Sequence, residues 1–243
     1  MSLLSSLYII SFWWVLFFQK FKRYNITYNL IMYTWSTFLN FLLCNKYIVI
    51  GKENIDKKRT TLYICNHQSY LDIPTFVTNS HCTAISKKEV LKIPFVGILT
   101  TYTGTIFFDR NNNASRLSII KEVSNLLNEG YSLCLFPEGT RSLNGALNEP
   151  NLALIRLCYK KNIPVVSSAI HGTIYSLKKG NYHINFFQKV VLKYTHPIYP
   201  KDFQDDEDFS NACWERVKKT HSEIKNEFFL KELNVDKDII NNV

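Results

Sequence analysis

The chain has 243 residues, 46% of them hydrophobic, with a formal charge of +9 and a pI near 9.2. That is enough apolar content for one substantial core, and no shift in composition marks a second folded domain. The charge favours an anionic partner (nucleic acid, an anionic bilayer or a phosphorylated substrate) without choosing among them, and six cysteines scattered without a C-x-x-C pair argue against a zinc site or a secreted disulfide framework and for reduced thiols in a cytoplasmic domain.

Residues 1–19 carry no charged side chain; Lys20, Lys22 and Arg23 follow, and a second uncharged stretch runs from Tyr24 to Asn45. Both are near the ~20 residues that cross a bilayer, but Asn25, Thr27, Asn29, Thr34, Ser36, Thr37 and Asn40 dilute the second, which suits an interfacial helix better than a full span. A signal peptide is not expected: no basic residue precedes the first run and no small-residue cleavage site follows it. Trp13, Trp14, Tyr33 and Trp35 are aromatics of the kind found at headgroup depth, and the basic cluster between the stretches prefers an anionic cytoplasmic leaflet. The other reading of both stretches is ordinary core helix. The expected organisation is a membrane-associating helical segment, 1–46, followed by a domain, 47–243.

Beyond Tyr47, short apolar runs alternate with longer helical stretches. Strands are predicted at 61–65, 82–86, 105–109, 132–136, 163–170 and 184–194, and helices at about 73–79, 88–102, 113–129 and 150–161. The third helix ends at Asn128-Glu129-Gly130, a stop signal. "KDFQDDEDF" reads as an acidic linker before a charged outer helix from about Asn211 to Leu230. This alternation predicts an α/β fold: a single domain with a mixed, mostly buried sheet flanked by helices, preceded by the N-terminal membrane-embedding helical pair.

Four stretches place reactive residues at strand ends, where open α/β sheets bind ligands. In "NHQSYLD", His67 and Asp72 stand five positions apart, about 140° around an ideal helix, so they cannot meet if both are helical. They meet if His67 lies in the loop after the strand and Asp72 in the first turn of the next helix, where Pro74 is tolerated. Otherwise Asp72 is a plain helix cap and His67 a loop residue. "GTIFFDR" ends in Asp109-Arg110. In "FPEGTRS", Gly139 permits a sharp turn after Glu138, and Thr140 and Arg141 offer donors to an anion; the alternative is a surface turn with an Arg–Glu ion pair. "IPVV" opens the fourth stretch at Ile163-Pro164.

In this order and spacing, these stretches, with "SKKEVLKIPFVG" between the first two, resemble the glycerolipid acyltransferase family, which includes 1-acylglycerol-3-phosphate acyltransferases. The resemblance covers roughly residues 60 to 170, and the two apolar N-terminal stretches are similar to the membrane-embedding helices of bacterial members. It implies transfer of a fatty acyl chain from acyl-CoA or acyl-ACP, as co-substrate with no other cofactor and no metal, to the hydroxyl of lysophosphatidic acid. The implied partners are the bilayer, the lysophospholipid and the acyl donor, not nucleic acid, with the catalytic domain on the cytoplasmic face of the membrane. The residues agree with that chemistry. An alcohol protonated at neutral pH needs a base within reach, which His67 can supply, and Asp72 on the other ring nitrogen fixes the tautomer and stabilises the imidazolium. The substrate alcohol is the nucleophile, so Ser69 and Ser142 are not expected to form a covalent intermediate. By resemblance, Lys87 stabilises the oxyanion, together with backbone N–H groups near the His67 loop. Arg110 and Arg141, with Gly139 and Thr140, bind the acceptor's phosphate, and Glu138 either holds the acceptor or braces those arginines. Asn66 and Pro164 are supports, and His171 in "AIHGT" is structural or stands behind the site.

Many family members carry Phe-Lys-x-Gly-Ala after the arginine turn; here "LNEPNLAL", 147–154, has neither the lysine nor the glycine. The departure bears on the acceptor, leaving another lysophospholipid or glycerol 3-phosphate as alternatives. Two rivals come from other classes. A metal-dependent phosphoesterase would use His67, Asp72, Asp109, Glu138 and His171, though no pair has a recognised ligand spacing. A non-catalytic protein would bind anionic membrane or nucleic acid through its charge, although stacking motifs for single strands are absent.

Overall fold

The computed structural model describes residues 33–34, 37–38, 41–80, 82–92, 105–108, 113–181 and 183–240. The expected N-terminal helical pair lies largely outside these residues, as do Asp109 and Arg110. Seven strands form one mixed sheet: β1 (Lys46–Ile50), β2 (Leu62–Cys65), β3 (Thr83–Lys87), β4 (Ile106–Phe108), β5 (Leu133–Leu135), β6 (Val165–His171) and β7 (Lys189–Tyr194). Their spatial order is β1-β7-β6-β2-β5-β3-β4. Strands β6, β2, β5, β3 and β4 run parallel; β7 is antiparallel to β6, and β1 runs with β7. The helices are α1 (Asp72–Ser80), α2 (Asn113–Asn128), α3 (Ala153–Lys160), the short α4 (Thr173–Ser176) and α5 (Asp206–Ile240).

Every residue of β2 and β6 is buried, as expected of parallel strands covered on both faces. On one face Leu62, Ile64, Leu133 and Val165 pack against Val123 and Leu127 of α2, Ile155 and Cys158 of α3, and Phe209, Cys213 and Val217 of α5. On the other, Tyr63, Cys65, Cys134 and Ile170 pack against Phe76 of α1. Five of the six cysteines are buried as free thiols in this framework. Helix α2 ends as its sequence predicts. Gly130 takes φ +91°, its N–H donates to the Leu127 carbonyl at 3.3 Å and that of Tyr131 to the Leu126 carbonyl at 3.0 Å, the Schellman arrangement that satisfies the last carbonyls.

Three elements differ from expectation. The predicted acidic linker is instead the start of α5: Asp205 Oδ1 accepts the N–H groups of Glu207 and Asp208 at 2.9 and 2.8 Å. Acidic residues gather there because free N–H groups and the dipole at a helix N-terminus favour negative charge. The predicted strand 184–194 begins only at Lys189, because Phe187 takes φ +61° and breaks the extended run. The described part of the predicted helix 88–102 is a 3₁₀ segment, Lys88–Lys92. The edge strand β1 was not anticipated; it earns its place by pairing along its whole length with β7.

Gly172 sits where β6 turns into α4, at φ +103°, and a Cβ there would lie 2.0 Å from the Lys189 carbonyl oxygen. Only glycine lets the chain pass this close to β7. The turn matters because it delivers Thr173 to the site.

Candidate active site

The site lies at the carboxyl ends of the parallel strands. Strand β2 runs into the His67 loop, β5 into Pro137-Glu138-Gly139, β3 ends in Lys87, and β6 ends in His171 followed by Gly172-Thr173. His67 is in a loop and Asp72 is the first residue of α1, which turns the five-residue separation into contact: His67 Nδ1 is 2.8 Å from Asp72 Oδ2. Asp72 is fully buried. Its Oδ2 also accepts the N–H groups of Gln68 and Ser69 at 2.6 and 2.8 Å, and Thr173 Oγ1 donates to Oδ1 at 2.5 Å. An ionised carboxylate has lone pairs for all four donors. Asp72 therefore orients the His67 ring from behind and fastens the loop that carries it; it is more than a helix cap. With Nδ1–H donating to Asp72, Nε2 carries the free lone pair. The ring is stacked on Phe136, centroids 4.4 Å apart, and lines the cavity.

A second set of bonds ties this loop to the one after β5. Glu138 Oε1 accepts the His67 N–H at 2.8 Å, and the His67 carbonyl accepts the Ser142 N–H at 2.8 Å. Glu138 Oε2 accepts both the backbone N–H and the side-chain amide of Asn148, each at 2.7 Å. Burial pushes the Glu138 carboxyl above the ordinary glutamate range, and its N–H donors act against that shift. Glu138 thus braces backbone, and no ion pair joins it to Arg141 among the described residues. The backbone contribution to oxyanion binding is also corrected: the N–H groups of His67, Gln68 and Ser69 already donate to Glu138 and Asp72, which leaves them no hydrogen to offer a substrate.

Asn66 joins two strand ends, its amide donating to the Ile170 carbonyl at 3.0 Å and its oxygen accepting the Ile170 N–H at 2.8 Å. Pro164 does not reach the site; it stands at the amino end of β6, where its carbonyl accepts the Leu62 N–H at 3.1 Å. Ser69 Oγ donates to the Leu177 carbonyl and Ser142 Oγ accepts the Gly145 N–H, so both serine hydroxyls are engaged in holding turns. His171 is buried behind the loop. Its Nδ1 lies 3.5 Å from Gln68 Nε2, which is also 3.4 Å from Nε2 of His221 on α5. Burial lowers both histidines to about 4, with Lys225 adding to the effect, so both are neutral at physiological pH. Among the described residues no three His, Cys, Asp or Glu side chains converge to hold a metal ion.

The cavity in front of His67 has a volume of about 580 Å³. Ile73, Ile85, Val90, Ile119 and Leu154 give it an apolar wall, and Lys87, Thr140, Arg141 and Lys179 a cationic one. The Arg141 guanidinium lies over the Tyr70 ring, 3.6 Å from its centroid, a cation–π contact that fixes the group without neutralising it. Gly139 takes φ +60° in the turn that leads to Thr140 and Arg141. Sequence reasoning assigned no role to Tyr70, Asn148, Thr173 or Lys179. Thr173 is 101 positions from the carboxylate it serves, and only its place two residues after His171 in "AIHGT" could have drawn attention to it.

A family model described as Acyltransferase matches residues 46–171. The chain is 31% identical over 152 residues to a 1-acyl-sn-glycerol-3-phosphate acyltransferase of Limnanthes douglasii, a match covering 61% of this chain and 54% of that one. It is 29% identical to the enzyme of the same name from Haemophilus influenzae, over 68% of this chain and 70% of the other. The match thus spans about half the length of the plant relative. The crystal structure of the 1-acyl-sn-glycerophosphate acyltransferase PlsC from Thermotoga maritima superposes with a TM-score of 0.76 at 29% identity, covering 91% of each chain.

Proposed function

We propose that this chain, which belongs to the acyltransferase family, transfers a fatty acyl group from acyl-CoA or acyl-ACP to the free hydroxyl of lysophosphatidic acid, giving phosphatidic acid for phospholipid synthesis. The observation that carries the reading is the His67–Asp72 pair at 2.8 Å, with His67 lining a cavity that holds both apolar and cationic side chains. In the reaction the acceptor's hydroxyl gives its proton to His67 Nε2 as its oxygen attacks the thioester carbonyl. Asp72 stabilises the imidazolium. Lys87 at the end of β3 stabilises the oxyanion. Collapse of the tetrahedral intermediate breaks the C–S bond, and the departing thiolate takes the proton back from His67. The thiol and the ester are released and the enzyme returns to its starting protonation state. Arg141 and, by resemblance, Arg110 hold the acceptor's phosphate, the planar guanidinium suiting its paired oxygens.

Names borne by the relatives support the acceptor, since those above are called 1-acyl-sn-glycerol-3-phosphate acyltransferases. Membrane association at the cytoplasmic face is part of the proposal. Among the described residues no helix is long and apolar enough to cross a membrane, but the end of the uncharged second stretch exposes Phe41 and Leu42 beside Ile184, Phe186 and Phe187, the last 78% exposed. The Phe187 N–H donates to the Leu43 carbonyl at 3.1 Å, which brings these two segments together as one apolar surface suited to a bilayer.

The test is thiol release from palmitoyl-CoA, and then from acyl-ACP, by the detergent-solubilised full chain. Lysophosphatidic acid, glycerol 3-phosphate and lysophosphatidylcholine are offered separately beside a His67→Ala control. Release that needs lysophosphatidic acid and falls about 10²- to 10⁴-fold in the control is the expected result. Release with another acceptor corrects the substrate, and none with any acceptor from either donor refutes the reading.

A further inference from the structure

Lys179 comes from the loop between α4 and β7, just beyond the stretches that carry the family resemblance, and it lines the cavity with Thr140 and Arg141. Its Nζ donates to Thr140 Oγ1 at 2.9 Å and to the Arg141 carbonyl at 2.9 Å. An ammonium has three N–H donors, so this arrangement holds the nitrogen beside the Arg141 turn with one hydrogen to spare. The stretch 147–154, which follows the same turn and supplies Glu149, Pro150, Asn151, Ala153 and Leu154 to the cavity wall, contains no cation. Among the described residues neither Arg141 nor Lys179 has a carboxylate partner: Glu138 gives its oxygens to His67 and Asn148, and Arg141 rests on Tyr70. Two unneutralised cations on adjoining segments, with a hydroxyl between them, form an electrostatic deficit that a compact dianion fills.

We infer that Lys179 is a phosphate-binding and specificity-determining residue, closing with Arg141 a two-cation clamp that selects an acceptor whose headgroup is a terminal phosphate. The inference rests on the acyl-acceptor reading above and deepens it. A phosphate monoester brings close to two negative charges and three oxygens, enough for a guanidinium fork, an ammonium and the Thr140 hydroxyl together. A phosphodiester headgroup brings one charge and a substituent where the second cation would bind. On ligand entry the ammonium exchanges a hydrogen bond to Thr140 or to the Arg141 carbonyl for one to the phosphate.

The experiment measures binding and turnover separately, with full chain in detergent micelles. Calorimetry of lysophosphatidic acid and of uncharged monoacylglycerol is run on the wild type, Lys179→Met and Lys179→Arg, and thiol release is followed on the same preparations. Lys179→Met should weaken lysophosphatidic acid about tenfold, the loss of one charge-assisted contact at a solvent-accessible site. Monoacylglycerol should change less than about twofold, and Lys179→Arg should keep most of the affinity. Equal losses for both ligands would show that Lys179 only holds the turn, and would overturn the inference, as would unchanged affinity for the phosphate ligand or no binding of it by the wild type. Lys179-dependent binding without thiol release from any donor would sink the acyltransfer reading while leaving the phosphate clamp standing.

Discussion

The two walls that meet at the cavity are built in opposite ways. Beside His67 the two carboxylates are heavily hydrogen-bonded: Asp72 accepts from four donors and Glu138 from three. Elsewhere in the cavity lining Arg141 is held by an aromatic face and Lys179 by a hydroxyl and a carbonyl, and their charges remain unpaired among the described residues. In the proposed reaction the first wall performs proton transfer, which tolerates little misplacement, so its cost of organisation is met during folding. In the same proposal the second recognises a charged headgroup, and leaving its cations unpaired reserves their electrostatic attraction for the ligand. Changes to the first wall should therefore appear in kcat and changes to the second in KM.

The sharpest way to break that division is Asp72→Asn. It keeps the shape but turns an amide toward backbone N–H groups and loses the acceptor that selects the Nδ1–H tautomer, so kcat should fall on the order of 10³- to 10⁴-fold. Steady-state kinetics showing instead a KM effect alone would mean that Asp72 is not orienting a base. Arg141→Lys is the matching test of the cationic wall. The fork and its stacking on Tyr70 are lost while the charge stays, and KM for lysophosphatidic acid should rise about tenfold with kcat within about threefold. Thr173→Val is milder. It removes the hydroxyl bonded to Asp72 Oδ1 without changing volume, and should lower kcat about three- to tenfold and stability by about 1–2 kcal/mol, read from urea unfolding.

The smallest effect on catalysis is expected behind the first wall, at His171 and His221. Burial lowers both to about 4, so the unfolded chain binds more protons than the folded one between about pH 6.5 and 4. Stability therefore falls as the pH drops through that window and is fully present above it. His221→Leu should flatten the fall in a pH series of urea unfolding, with kcat at pH 7.5 almost unchanged. A slope as steep as the wild type's would assign the acid sensitivity to other groups. Lys225, which adds to the lowering of both, sets the direction of a companion change: Lys225→Met should make the fall slightly shallower.

Much of this architecture was legible in the chain. Runs such as Leu62–Cys65 and Val165–His171 are mostly apolar and wholly buried because helices cover both faces of the strands, and the Asn128-Glu129-Gly130 stop announced the end of α2 through local backbone chemistry. Misreadings arose where one local signal served another purpose. The acids at 205–208 read as a solvated linker but open α5, with Asp205 accepting two of its free N–H groups. The apolar residues 184–187 read as strand, but an αL turn at Phe187 leaves them exposed on the surface.

The α/β class, the base and its carboxylate partner as candidates, and the turn carrying Arg141 were readable from the chain alone, since each depends on residues within a few positions of one another. It took the folded chain to bring Thr173 onto Asp72, the Glu138 carboxylate onto the His67 backbone, and Lys179 beside Arg141. Those contacts join positions 38 to 101 apart in the chain. No local pattern encodes them, because they exist only once parallel strands bring their carboxyl ends to a common edge of the sheet.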